Sequence, residues 1–274
     1  MTNTKHPKLE LEVLVATQNR STLDFLLKMF PFGFDGFKVL VINQSVSSVS
    51  LTSELENVRV INSNTKGLSV SRNIALENCD SDIALIADDD LIYPENFQHQ
   101  IIETFQSKKA YALITFKAQK LSGGDYRTYS KESKAHTKAS IKDVISWEIA
   151  FRPKWAKTHK IVFNERFGLG AEFQTAEEYL FANSILEAGG KLWFENKVIV
   201  SHPDFNSGMD LGSDRVVYAR AALNYKLYKS WAYVWLMKYV VFLINHDYIA
   251  WQQGLKKYNV GVNGIAAFKK KISA

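Results

Sequence analysis

The sequence predicts an α/β protein: a mostly parallel sheet with helices on both faces, followed by a helical extension that is basic and aromatic. Three observations carry that reading. Short, nearly continuous apolar runs alternate with helix-like segments as far as Lys117, which is how strands buried on both faces of a parallel sheet read. Polar clusters stand directly behind three of those runs. The charge is lopsided: Arg215 to Ala274 holds ten Lys and Arg against one acid, Asp247, so +9 sits in this tail and −3 in the rest of a chain of net charge +6. With 274 residues, 46% of them hydrophobic, the chain can bury one large domain or a domain with an appendage.

Taken in order, Leu11 to Ala16 reads as a strand, Ser21 to Met29 as a helix, Phe37 to Ile42 as a strand and Val58 to Ile61 as a short strand. Leu68 to Asn78 follows as a helix, Ile83 to Ala87 as a strand, Glu95 to Gln106 as a helix and Ala110 to Lys117 as a strand. Ligands of such sheets bind beyond the carboxyl ends of the strands. Thr17-Gln18-Asn19-Arg20, Asn43-Gln44-Ser45 and Asp88-Asp89-Asp90 occupy three such ends and are expected to converge on one crevice. Lys120 to Ser140, with Gly123-Gly124 and little apolar content, reads as a long mobile loop, either over the crevice or as a plain surface insertion. A second block, Ile141 to Pro203, holds Ser146 to Arg152, the turn Phe167-Gly168-Leu169-Gly170 and a helix from Thr175 to Ala188. Gly189-Gly190 ends that helix, and Lys191 to Val200 returns as one or two strands.

From Leu211 the chain reads as helical, which sets the expected domains at 1–210 and 211–274. Trp231 to Ile244 is apolar apart from Lys238 and too short to span a bilayer, which takes about 20 residues. Lys226, Lys229, Lys238, Lys256, Lys257 and Lys269 to Lys271 flank its Trp and Tyr residues. That composition suits a helix lying in a membrane interface, or one packed on the main domain or a dimer partner. A single Cys79 excludes an internal disulfide and a cysteine zinc cluster and suits a reducing compartment. Met1 to Glu10 carries no apolar signal segment, so the expected location is cytoplasmic.

A buried strand ending in Asp88-Asp89-Asp90 is costly to build, because like charges that close raise one another's pKa. A cation offsets the cost: Mg²⁺ and Mn²⁺ prefer hard oxygen ligands, and Mg²⁺ binds through one or two carboxylates plus substrate phosphates. The bland alternative is an acidic helix start, since Pro94-Glu95 follows.

Together the motifs resemble a GT-A-fold glycosyltransferase, similar to the inverting family 2 enzymes. The resemblance covers about Leu11 to Pro203. It rests on Val15-Ala16-Thr17-Gln18-Asn19-Arg20, Val41-Ile42-Asn43-Gln44-Ser45, Asn64-Thr65-Lys66-Gly67-Leu68-Ser69-Val70-Ser71-Arg72-Asn73, Ala87-Asp88-Asp89-Asp90 with Pro94, Phe167-Gly168-Leu169-Gly170, Glu177-Glu178 and His202, in that order. It implies a Rossmann-like nucleotide-diphospho-sugar transferase, with a nucleotide-binding half to about residue 118 and an acceptor half from about 119 to 210. It also implies a nucleotide-sugar donor, UDP-linked, and a divalent metal, Mn²⁺ or Mg²⁺.

Residue by residue, the resemblance implies that Asp88 and Asp90 hold the metal and His202 completes the site, with Asp89 the alternative main ligand. Thr17, Asn19, Arg20, Asn43, Ser45, Asn64, Gly67, Arg72, Asp88 and Asp89 fall where the nucleotide is held. Thr17 and Asn43 would face the base, where family members often carry Asp in place of Asn43. Trp147, Glu148, Arg152 and Gly170 fall near donor sugar and acceptor, Trp147 either stacking on a sugar or packing in the core. Glu178 stands at the position of the catalytic base, with Glu177 second. A competing role is concrete: Thr175-Ala176-Glu177-Glu178 is also a capping box, with Thr175 as N-cap and Glu178 at N3.

The implied reaction is inverting transfer of a hexosyl or N-acetylhexosaminyl group to a glycan hydroxyl, by analogy in bacterial surface polysaccharide synthesis (capsule, O-antigen or lipooligosaccharide). The tail suits a lipid-linked acceptor and an anionic membrane surface on the inner face of the cell membrane. Competing readings are a nucleotidyltransferase, disfavoured because no Gly-rich phosphate loop follows Ala16, and a non-catalytic nucleotide- or glycan-binding module. Nucleic-acid binding through the tail is disfavoured by the apolar run Val240 to Ile244. Oligomeric state is left open.

Overall fold

A computed structural model describes residues 9–45, 50–203 and 210–270; the polar segment through Lys8 and the last lysine, Lys271, lie outside them. The chain divides into two compact units, one of 1–66, 70–163 and 178–204, the other of 67–69, 164–177 and 205–274.

The first unit is built on eight strands: β1 (Leu11–Gln18), β2 (Lys38–Gln44), β3 (Val58–Ser63), β4 (Ile83–Asp88), β5 (Tyr111–Lys120), β6 (Lys134–Ala135), β7 (Ile149–Phe151) and β8 (Lys191–His202). Their order is β3-β2-β1-β4-β7-β5-β8-β6. β1 is parallel to β2 and β4, β2 to β3, and β5 to β8. β7 and β6 run against their neighbours. The helices are α1 (Asp24–Met29), α2 (Leu68–Asn78), α3 (Phe97–Ser107), α4 (Pro153–Thr158) and α5 (Glu177–Glu187). Both faces of the sheet are buried: Val13 and Val15 on one side and Leu14 on the other are all inaccessible or nearly so. That is why the strands read as continuous apolar runs rather than alternating ones. Phe25, Leu26 and Met29 of α1 and Ile101 and Phe105 of α3 join Val13, Val15, Val39 and Leu85 in one core cluster.

This topology decides where a ligand can go. The chain runs outward from β1 to β2 and β3, then returns to place β4 on the other side of β1. The reversal opens a crevice at the carboxyl ends of β1 and β4. β8, through β5 and β7, ends on the same side of the sheet as β4.

The second unit holds α6 (Asp214–Tyr228), α7 (Trp231–Asn245) and α8 (Gly254–Lys270). Ser213 caps α6, its hydroxyl accepting from the Val216 N–H. Val217, Ala221, Leu236, Tyr239, Leu243 and Ile265 form the core. Two glycines set the spacing: a Cβ at Gly264 would stand 2.2 Å from the Tyr218 carbonyl oxygen, and one at Gly261 would stand 2.4 Å from a Leu236 methyl. Segment 164–177, expected with the first domain, clusters with these helices; Phe173 stacks on Tyr218 and tilts against Phe268. Among the described residues no helix is long and apolar enough to cross a membrane.

Several elements differ from the sequence reading. β7 was not foreseen, because three residues are too few to carry a period. Lys191 to His202 forms one strand, with bulges against β5. The segment read as a mobile loop, Lys120 to Ser140, is tied down instead. β6 pairs with β8, Lys117 meets Asp125 at 2.7 Å, and the Tyr129 hydroxyl takes the Ala118 N–H at 3.0 Å.

Candidate active site

The site is assembled at the ends of β1, β4 and β8. Leaving β1, the chain turns at Asn19 in the left-handed region (φ 56), where Asn is among the few side chains that fit. Asn19 N–H donates to the Gln44 carbonyl at 3.0 Å. Asn43, wholly buried, brackets the next residue: its Oδ1 accepts the Arg20 N–H at 3.1 Å, and its Nδ2 donates to the Arg20 carbonyl at 3.0 Å and to Asn62 Oδ1 at 3.1 Å. Both amide protons are used, so Asn43 positions the turn rather than reading a base, which corrects its expected role. Ser45 continues β2, its N–H on the Ser63 carbonyl at 2.9 Å, and Asn64 is exposed just beyond β3.

The three consecutive aspartates take three different partners. Asp89 Oδ2 accepts from Arg20 Nε and Nη2 at 2.9 and 2.7 Å and from the Thr17 hydroxyl. That satisfies this oxygen within the crevice and argues against Asp89 as the main metal ligand. Asp88 Oδ1 accepts from Arg72 Nη2 at 3.1 Å. Arg72 lies buried on α2 with its guanidinium over the Phe163 ring. Asn73 fixes that ring by bonding both the N–H and the carbonyl of Phe163. Asp90 is more than half exposed, and its Oδ1 lies 3.8 Å from His202 Nε2.

The approach of His202 has a local cause. Ile92 and Ser201 exchange backbone hydrogen bonds at 2.9 and 2.8 Å, stitching the segment after the aspartates to the end of β8. His202 is buried, and its Nδ1 donates to the Pro203 carbonyl at 2.6 Å. A carbonyl can only accept, so Nδ1 carries a proton, and Nε2 faces Asp90. The ring stacks on Trp147 at 4.1 Å and 19°, and Tyr126 meets both edge-on. An imidazole whose other N–H is anchored on a backbone carbonyl is the usual arrangement of a metal-binding histidine. Among the described residues no group of three or more His, Cys, Asp and Glu surrounds one point. Asp88, Asp90 and His202 are thus not gathered as a three-ligand site. Beneath them, the Tyr93 hydroxyl is buried without a hydrogen-bond partner. Burial first, then the Asp88 and Asp90 charges, push its pKa well above the usual tyrosine value, so it keeps its proton. Neither Tyr93 nor Tyr126 belongs to the sequence-based set; only the place of Tyr93 three residues after Asp90 hinted at it.

Two expected substrate contacts are corrected, and a third residue takes its packing alternative. Glu148 is fully buried and spent on Arg127, at 3.0 and 2.6 Å, and on the Tyr129 hydroxyl at 2.6 Å. Arg152 lies toward the amino ends of β4 and β5, away from the crevice, donating to the Tyr111 and Phe105 carbonyls. Trp147 is buried with its ring packed on His202.

Glu178 is half-buried on α5 and belongs to the first unit. Ala176 adopts φ 69, so the helix begins at Glu177. Thr175 cannot then be the N-cap with Glu178 at N3, and the capping-box alternative falls away. A left-handed alanine costs about 1–2 kcal/mol, the kind of local strain that clusters at functional sites. Glu177, in the second unit, is buried. A Cβ at Gly168 (φ 103) would press within 3.2 Å of its side chain. In the same unit Gly67 and Gly170, both at positive φ, touch: a Cβ on Gly170 would lie 3.1 Å from Gly67 Cα.

Compared with known proteins, the chain matches the family described as glycosyl transferase family 2 over residues 13–175, a span that stops short of Glu177, Glu178 and His202. Among solved structures it is similar to S. aureus TarS 1-349: free (TM-score 0.57, 17% identity, covering 95% of this chain and 80% of that one), with UDP-GlcNAc (0.56, 16%, 95% and 80%) and with UDP (0.53, 19%, 86% and 72%). No curated protein matches the chain. At such identities the structural likeness is one of fold.

Proposed function

The chain belongs to glycosyl transferase family 2, and on that premise we propose that this glycosyltransferase moves a sugar from a UDP-sugar to a hydroxyl of a glycan acceptor, inverting the anomeric carbon. The observation that carries the reading is the split of Asp88, Asp89 and Asp90 among Arg72, Arg20 and His202 at the switch point of the sheet. A diphosphate suits that place, where the guanidiniums of Arg20 and Arg72, paired with Asp89 and Asp88, would exchange to phosphate oxygens. Support for uridine as the base comes from TarS, whose structures include UDP and UDP-GlcNAc complexes.

Asp90 and His202, with Asp88, would hold a divalent cation, Mn²⁺ or Mg²⁺, which supplies charge neutralisation to the departing nucleotide. Arg72 and Arg20 bind and orient the diphosphate, and Asn43 holds Arg20 in place for it. Glu178 takes the proton of the acceptor hydroxyl at a carboxylate oxygen. The new bond from that oxygen to the anomeric carbon forms as the bond to the diphosphate breaks, and the electron pair leaves with the nucleotide. An acceptor in bacterial surface polysaccharide synthesis, worked on at the inner face of the cell membrane, accords with the basic tail.

The test is Glu178→Gln. UDP release from UDP-GlcNAc with a glycan acceptor should fall by roughly 10²–10⁴-fold, the usual worth of a general base, with UDP binding unchanged. Undiminished release would remove Glu178 as base.

A further inference from the structure

In the second unit α7 buries one face and bares the other. Ala232, Leu236, Tyr239, Val240 and Leu243 point into the helical core. Trp231, Val234, Met237, Val241 and Phe242 are exposed, Trp231 at 74% and Met237 at 55%. Their spacing of three, four and seven residues puts them on one side of the helix. Single exposed apolar residues are normal on a protein surface, but a continuous stripe marks an interaction face. Just past α7, Trp251 and Leu255 stand 73% and 75% exposed.

Charge identifies the partner. Lys238 is exposed within the stripe, Lys229 is exposed just before α7, and Lys256 is exposed on α8. Asp247 is the one acid from Arg215 to Lys270, while Asp214 is already paired with Lys257. A second copy laid on this face would bury Lys238 with hardly an acid to meet it, and an unpaired buried ammonium is strongly unfavourable. A bilayer surface has no such cost. The lysine stem lies along the apolar layer while Nζ reaches a lipid phosphate, and indole rings favour the same depth. At 15 residues the helix is too short to span, but it can lie flat.

We infer that the exposed face of α7 seats the protein on an anionic lipid surface, with Lys238 at the centre of the contact. The inference is independent of the transfer chemistry, because α7 carries none of the residues of the strand-end site.

The full-length protein is sedimented with phosphatidylglycerol/phosphatidylethanolamine vesicles, with phosphatidylcholine vesicles, and alone in the analytical ultracentrifuge. Binding should favour the anionic vesicles by about tenfold or more and weaken with salt. Trp231→Ser with Val241→Ser should lower it at least about tenfold at unchanged melting temperature. Lys238→Glu should weaken binding to the anionic vesicles alone. Anionic binding indifferent to both variants overturns the inference, as does a wild type that ignores vesicles. A dimer that the serine variant dissociates, without vesicle binding, overturns it in favour of a second copy.

Discussion

Two carboxylate clusters in the sheet unit are built from the same kinds of residue and differ in closure. Glu148 has no exposed surface, and both its oxygens are filled by Arg127 and Tyr129. Burial raises its pKa, and the two donors pull it back. Nothing in that cluster can meet a ligand without being dismantled. Asp88, Asp89 and Asp90 instead divide among separate partners at a strand end, and the last of them faces the His202 imidazole across 3.8 Å. The first arrangement satisfies itself and pins the segment before β6. The second stays open at Asp90, which is more than half exposed. Sequence composition does not separate the two; exposure and hydrogen-bond closure do.

The largest effect should come from opening the sealed cluster. Glu148→Ala leaves the part-exposed Arg127 guanidinium and the Tyr129 hydroxyl without their shared buried acceptor, which should cost about 3 kcal/mol in chemical denaturation. Glu148→Gln, which keeps the volume, should cost less, with transfer per folded molecule nearly unchanged. A loss below about 1 kcal/mol for the alanine variant would place this cluster among ordinary surface ion pairs.

Acid should loosen the same region. His136 bonds Thr115 through Nε2 and Ser140 through Nδ1. Burial, then the charges of Arg127 and Lys134, lower its pKa to about 4. The folded state therefore resists a proton that the unfolded chain accepts near pH 6.5. The associated stability is fully present above about pH 6.5 and is lost as pH falls toward 4, roughly 2–3 kcal/mol in all. His136→Gln should flatten that slope; an unchanged slope assigns the acid sensitivity elsewhere.

A smaller effect tests the open cluster. Trp147 stacks on His202, and its expected role is to position that ring. Trp147→Ala should raise the Mn²⁺ concentration needed for half-maximal transfer by about tenfold, in the range typical for residues that orient a metal ligand. Trp147→Phe, which keeps a ring, should stay within about threefold. If alanine and phenylalanine behave alike, the stack has no such role.

The sequence carried the fold well where strands are buried on both faces, since Ile83 to Ala87 or Leu11 to Ala16 admit few other readings. It also located the crevice, because strand ends and polar clusters coincide at Thr17, Asn43 and Asp88. It failed where meaning depends on direction. Trp147, Glu148 and Arg152 are neighbours in sequence, yet one packs on His202, one is sealed with Arg127, and one turns toward the other end of the sheet. The short β7 that separates them has no period to read. The capping box at Thr175 failed for a similar reason: a left-handed Ala176 is a backbone choice that side-chain types do not announce.

The central claim is that the open cluster binds a nucleotide diphosphate together with a cation. Calorimetric titration of UDP, with Mn²⁺ and with chelator, tests it most directly. The account predicts that UDP binds the wild type with Mn²⁺, and that chelator, Asp90→Asn or His202→Gln each weakens binding by about tenfold or more, whereas Glu148→Gln does not. Equal UDP affinity with and without the metal, or affinity untouched by Asp90→Asn and His202→Gln, would contradict it.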